Sequence, residues 1–222
     1  FEQIFKNAVI KKIQRKSKYL ILVFDNHLYC VIHLGMSGTL HFIGLKKKTT
    51  NLSFYGSQSL PKKHNHIIFR FKNFKLIYND PRRFGFFKIL KNKKDYLKFF
   101  TRIGPEAISK DFNKKYLDKI LKNRTKNIKN LLLDQKLVSG LGNIYVNEIL
   151  FQAKINPFRK SFLINLDENK RIVKYSKIIL KKAIDFGGSS IRDFKGITGK
   201  SGNFQSEFKV YDRAKKRCSR NN

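Results

Sequence analysis

Acidic residues are scarce. The 222-residue chain has 15 Asp and Glu against 49 Lys and Arg, a formal charge of +34. Like charges at that density repel one another, so the composition points to a polyanionic partner, nucleic acid ahead of an acidic membrane surface. Long apolar runs are also missing. No stretch reaches the roughly 20 residues of a membrane span, and no secretory signal pattern is visible. Cysteine is limited to Cys30 and Cys218. They lie far apart and form no disulfide framework, which fits a reducing cytoplasm. Methionine occurs once, as Met36, and the chain opens on Phe1, so the natural start is expected upstream. There is no internal repeat. The 41% hydrophobic content excludes wholesale disorder, and the length suffices for a proper core in one or two domains. Part of the lysine excess is background, since Lys, Asn, Ile and Phe together mark an AT-rich genome.

Residues 1–90 read as β. The runs "KYLILVF" (18–24), "LYCVIHL" (28–34), "HIIFRF" (66–71), "FKLIY" (74–78) and "FGFFKIL" (84–90) are short, apolar and joined by turns, the pattern of an antiparallel sandwich or barrel. A polar loop fills 44–65. Residues 91–106 read as a linker, because Pro105 disfavours helix at Gly104. From 107 to 205 the pattern is helical, with helices expected over 113–123, 128–135, 144–154 and 167–186. Asn165 with Glu168 suggests a capping box and Gly187 a C-cap. The rest is loop, with a strand expected at "EFKVYD" (207–212).

The stretch "KLVSGLGNIYVNEILF" (136–151) ends one helix and starts another across two glycines. Gly140 and Gly142 permit positive φ, Asn143 is a good N-cap residue, and a helix start of this kind suits a phosphate. A tight interhelical turn with nothing bound fits the same residues.

The segment is one of an ordered series: "RKSKYLILVF", "IHLGMSGTL", "KKHNHI", "DPRRFG", "IGPE", "DQKLVSGLGNIYVNEILF", "GGSSIRDF" and "GNFQSEFKVYDR". Together, over roughly residues 5–218, they closely resemble the formamidopyrimidine-DNA glycosylase family, bacterial oxidised-purine glycosylases with AP lyase activity, related to endonuclease VIII. The resemblance implies an α+β fold: an N-terminal antiparallel β-sandwich (1–90) followed by a helical domain (107–205) with a helix–two-turn–helix, DNA being held between them. It implies base-excision repair by base flipping, on double-stranded DNA with oxidised or abasic lesions, by a cytoplasmic, nucleoid-associated monomer without membrane contact. Met36 and Phe84 match the family's apolar wedges that fill the hole left by the flipped base, and Arg82 the residue that bonds the orphaned partner base. Lys18 matches a lysine near the lesion phosphates that donates a proton in strand cleavage. His64, Arg82, Arg124, Lys129 and Asn143 match DNA contacts. The loop 187–204 matches the one that closes over the flipped base.

Two departures stand out. The family's nucleophile is an N-terminal proline followed by glutamate, whose amine forms a Schiff base at C1′. The match places Phe1 downstream of that start, so the chain is expected to be inactive alone, and Glu2 inherits no role. The family's four-cysteine zinc finger needs four ligands. Residues 206–222 retain one, Cys218, so the finger is largely missing and no zinc is expected. Cys30, in an apolar run, reads as core. Two other functions compete: a non-catalytic relic that binds damaged DNA, and an RNA- or ribosome-associated protein.

Overall fold

The computed structural model describes residues 2–44, 61–189 and 202–220. Most of the expected loop over 44–65 and most of the 187–204 loop lie outside the described residues. The chain divides into two compact units, Phe1–Leu97 with Gly187–Gln205, and Lys98–Phe186 with Ser206–Asn222. The sequence reading attaches 187–205 to the helices instead.

The first unit runs α1 (Glu2–Phe5), β1 (Ile10–Lys16), β2 (Tyr19–Phe24), β3 (Tyr29–His33), β4 (Thr39–Gly44), β5 (Asn65–Arg70), β6 (Phe74–Asn79) and β7 (Phe86–Leu90), then α2 (Lys93–Phe100), which crosses into the second unit. The strands form two antiparallel sheets, β1-β2-β3-β7 and β4-β6-β5. β-Branched and aromatic residues fit the pleat, and the sheets bury them against each other. Leu22, Phe24, Cys30 and Ile32 form a core cluster against which Phe69 of β5 and Phe87 of β7 pack. Cys30 is thus a core residue, and burial pushes its thiol up to about 12. β1 and β4 go unread in the sequence because "IKKIQRK" and "TLHFIG" lack clean alternation; pairing with β2 and β6 supplies the order. α2 falls inside the expected linker.

The second unit holds α3 (Lys114–Leu121), α4 (Ile128–Leu133), α5 (Asn143–Gln152) and α6 (Leu166–Asp185). Asparagine side chains start three of them. Asn113 accepts from Tyr116 N at 3.0 Å and Asn127 from Asn130 N at 2.8 Å. Asn165 and Glu168 complete the expected capping box, satisfying donors that a helix start leaves open. Gly187, at φ +73°, takes the left-handed position after α6. Phe112, Leu117, Leu131, Leu141, Ile149 and Ile172 lie fully buried between these helices.

The expected strand at 207–212 does not form. A short 3-10 turn covers Phe204–Glu207, and the next amides go elsewhere. Glu148 of α5, itself buried, accepts from Lys209 N at 2.9 Å, Val210 N at 2.9 Å and Tyr211 N at 2.8 Å. Three successive N–H groups wrapped on one carboxylate are unavailable to a strand partner. Removal of that acceptor in Glu148→Ala is expected to cost about 2–4 kcal/mol. Faster hydrogen exchange at amides 209–211 and a lower denaturant midpoint check it.

His41 of β4 is buried, with Nε2 2.7 Å from Thr39 Oγ1. Burial lowers its pKa to about 4. The unfolded chain therefore binds a proton that the folded one refuses, between the unperturbed imidazole value and about 4. Stability present above that window is lost as pH falls through it, by up to about 3 kcal/mol. Urea midpoints measured across the window are expected to fall less steeply in His41→Gln.

Candidate nucleic-acid interface

Strand register builds the site in the first unit. His33 pairs with Phe86 and Thr39 with Asn79. The β3–β4 turn (34–38) and the β6–β7 loop (80–85) therefore leave and rejoin the sheets side by side. Tyr19 pairs with His33, which sets Lys18 at the same end. The 3-10 turn Lys62–His64 joins them, since His64 O accepts from Asp80 N at 2.9 Å.

The two connections touch backbone to backbone. A Cβ on Gly35, whose φ is +68°, would lie 2.7 Å from Gly85 N, and one on Gly85 would lie 1.9 Å from Tyr78 Oη. Only glycine allows this approach. Asp80, fully buried, ties the connections together. It accepts from Ser37 Oγ, from Tyr78 Oη at 2.8 Å, and from the amides of Arg82 at 3.2 Å and Gly85 at 2.9 Å. Burial alone would raise the Asp80 carboxyl, but the bonds from Ser37, Gly85, Tyr78 and Arg82 outweigh it and hold it below the usual carboxylate range. Burial, with the bond to Asp80, pushes the Tyr78 phenol up.

On this base stand the expected wedge residues. Met36 is 65% exposed and Phe84 55%, far from the core that apolar side chains of their size usually join. The Arg82 guanidinium lies over the Phe84 ring, 4.6 Å from its centroid. Lys18 is largely solvent-facing, but partial desolvation lowers its pKa. His33, absent from the sequence reading, stacks on Phe86 at 5.6 Å and accepts from Gly35 N at 3.1 Å through Nδ1. Burial, then the charge of Lys18, lowers its pKa. The structure thus gathers Lys18, Met36, His64, Arg82 and Phe84 at one end of the sheets. The residues that hold them, Ser37, Tyr78 and Asp80, carry no sequence signal beyond their place in "GMSG" and "YNDPRRFG".

In the second unit, Arg124 is exposed between α3 and α4, Lys129 is half-buried in the first turn of α4, and Asn143 is exposed as the first residue of α5. Among the described residues these three form no hydrogen-bonded group. The N-cap is Gly142, with φ −120°, and not Asn143. Asn143 instead accepts from Asn147 Nδ2 at 3.4 Å. Of the two glycines only Gly140, at φ +89°, uses the left-handed region. The turn is stapled by Gln135. Its Nε2 donates to Leu133 O and Leu141 O, each at 2.9 Å, and its Oε1 accepts from Gly140 N at 3.0 Å. The "IGPE" segment runs alongside, with Ser139 N bonded to Pro105 O at 2.9 Å and Ala107 N to Ser139 O at 3.0 Å.

Cys218 is exposed and Cys30 is buried in a strand. Among the described residues no group of three His, Cys, Asp or Glu side chains could hold a metal ion. Among them, too, no helix is long and apolar enough to cross a membrane.

Comparison with known proteins places these features. Residues 1–87 match the formamidopyrimidine-DNA glycosylase N-terminal domain and residues 103–195 the formamidopyrimidine-DNA glycosylase H2TH domain. The formamidopyrimidine-DNA glycosylase of Wolbachia pipientis from Culex pipiens is 38% identical over 218 residues, 98% of this chain and 76% of the relative. That of Roseobacter denitrificans is 39% identical over 211 residues, covering 94% and 73%. Among solved structures, the complex of the Lactococcus lactis enzyme with an abasic site containing DNA superposes with a TM-score of 0.85 at 35% identity, covering 99% of this chain and 78% of the other. Its complex with Fapy-dG containing DNA gives a TM-score of 0.83 at 35% identity, with the same coverage. Both units are therefore those of a known family, and this chain belongs to the formamidopyrimidine-DNA glycosylase family.

Proposed function

We propose that this chain works in base-excision repair as a glycosylase of oxidised purines, gripping duplex DNA and reading it with Met36, Arg82 and Phe84. The observation that carries the reading is the pair of exposed apolar side chains, held on interlocked loops beside an arginine. Exposure alone is ordinary, Phe158 being 78% exposed, but a Met and a Phe seated together on interlocked loops beside an arginine are placed for insertion into a base stack. Unstacking costs a few kcal/mol per step. A damaged base leaves the stack most easily, which is one source of selectivity. Arg82 then reaches the base left without its partner.

Grip is a separate task. Lys18, His64, Arg124 and Lys129 supply charge or hydrogen bonds for phosphates, and Asn143 adds a neutral contact where α5 begins, in the manner of a helix–two-turn–helix. Lys18 has a second role as proton donor in strand cleavage, for which partial desolvation suits it by bringing its pKa toward neutrality. The substrates are formamidopyrimidines and 8-oxoguanine in duplex DNA. The described residues supply positioning, extrusion and proton transfer, and none of them is assigned as nucleophile.

Fluorescence anisotropy with an intact duplex, a duplex carrying a tetrahydrofuran abasic analogue and a structured RNA tests the reading. The lesion duplex is expected to bind tightest, and a preference for the RNA would overturn it. Asn143→Ala is expected to weaken both duplexes alike while changing the salt slope little, because asparagine is neutral. Phe84→Ala is expected to cost about tenfold on the lesion duplex, roughly 1.4 kcal/mol, and much less on the intact one. An equal loss on both removes the wedge assignment.

A further inference from the structure

We propose that Asp80 is a positioning residue that locks the two wedge-bearing loops into one rigid reader, so that lesion preference depends on a buried carboxylate that never meets DNA. The inference rests on the reading that Met36, Arg82 and Phe84 enter the duplex.

Asp80 uses every polar atom it has. Oδ1 accepts from Ser37 Oγ, 43 positions earlier, and from Arg82 N at 3.2 Å. Oδ2 accepts from Tyr78 Oη at 2.8 Å and Gly85 N at 2.9 Å. Its amide donates to His64 O at 2.9 Å. Its carbonyl oxygen accepts from Arg83 N at 3.4 Å and lies 2.8 Å from His66 Nε2. Ser37 is the neighbour of Met36, and Arg82 and Gly85 bracket the loop that carries Phe84. One carboxylate therefore fixes both wedges and the arginine between them. The side chain is fully buried, so it makes no direct contact with a duplex. Its partners are hydroxyls and amides, so the arrangement depends on acceptor geometry and not on ion pairing.

Asparagine at position 80 cannot reproduce this. One orientation turns an NH2 toward Arg82 N, the other turns it toward Gly85 N. The hydroxyls of Ser37 and Tyr78 rotate to suit, but a backbone N–H does not. In the first case Arg82 N is left with Ser37 Oγ alone, 3.3 Å away; in the second Gly85 N, whose acceptor is Asp80 Oδ2, faces a donor and its loop loses that tie.

The test measures binding of the full chain to intact and tetrahydrofuran-containing duplexes, with 2-aminopurine opposite the lesion to report insertion. Asp80→Asn is expected to lower lesion preference by about tenfold and to reduce the fluorescence change. Intact-duplex affinity should fall far less, because the phosphate contacts remain. Ser37→Ala cuts only the tie between loops and should give a smaller loss of the same kind, with Ser37→Thr restoring it. The double variant Asp80→Asn with Phe84→Ala should lose little more preference than either single one, because both act through one wedge. If Asp80→Asn fails to fold, Ser37→Ala and its coupling to Phe84→Ala carry the test. Uniform loss on both duplexes, or additive losses in the double variant, overturns the inference. If wild-type chain shows no lesion preference, the underlying reading falls with it. If the preference exists and Phe84→Ala abolishes it while the Asp80 and Ser37 variants keep it, only this inference falls.

Discussion

The arrangement of the β-rich unit depends on one buried anion. In a chain with a formal charge of +34, a fully buried carboxylate would be expected to sit against a lysine or arginine. Asp80 sits instead among two hydroxyls and two backbone amides. Desolvating a carboxylate costs several kcal/mol unless its lone pairs are met. Four donors meet them, and the acid is held in its charged form. A cation in that place would be free to turn toward phosphate when DNA arrived. Backbone amides are not free to turn, and on the proposed reading this lets the loops keep their shape when DNA arrives.

The same division between neutral geometry and mobile charge runs through the second unit. Asparagines cap three of the helix starts there, and the turn between α4 and α5 is stapled by the Gln135 amide. The one carboxylate buried in α5, Glu148, is spent on three amides of the C-terminal segment. Acidic groups in this chain are few, and the buried Asp80, Glu148 and Glu168 each accept from backbone amides, Glu168 pairing with Arg159 as well.

What could be read from the sequence follows from how local each signal is. Strands such as "KYLILVF" and "FKLIY", the capping box at Asn165 and the C-cap at Gly187 depend on neighbours within a few residues, and they form as read. β1 was illegible because its order comes from β2. The strand expected at 207–212 failed because Glu148, some sixty residues earlier, takes the amides it would have used. Asn143 yielded the cap to Gly142, a choice set by where the stapled turn delivers the chain. Met36, Arg82 and Phe84 were legible only through family resemblance. By their residue types alone the two apolar ones would have been placed in the core, and their exposure is what the structure adds. Asp80 and Ser37 were illegible for the opposite reason: as single polar residues in turns they look ordinary, and their meaning lies in a register that joins positions 43 apart.

Charge and discrimination therefore rest on different residues. The phosphate attraction that a charge of +34 offers a duplex carries no sequence or damage information. Adding or moving a lysine changes how tightly DNA is held and leaves unchanged which DNA is preferred. Discrimination falls to groups whose energy differs between a stacked and an unstacked base, and on the proposed reading those are Met36, Phe84 and Arg82. Such groups discriminate only if they cannot relax away from an intact stack. A wedge on a pliant loop would fold back and accept any duplex at little cost. Gly35 and Gly85, packed too closely for a Cβ, and the carboxylate behind them remove that freedom. On the proposed reading, rigidity at the loops is thus the physical condition for a strongly charged protein to tell damaged DNA from the excess of undamaged DNA it also attracts.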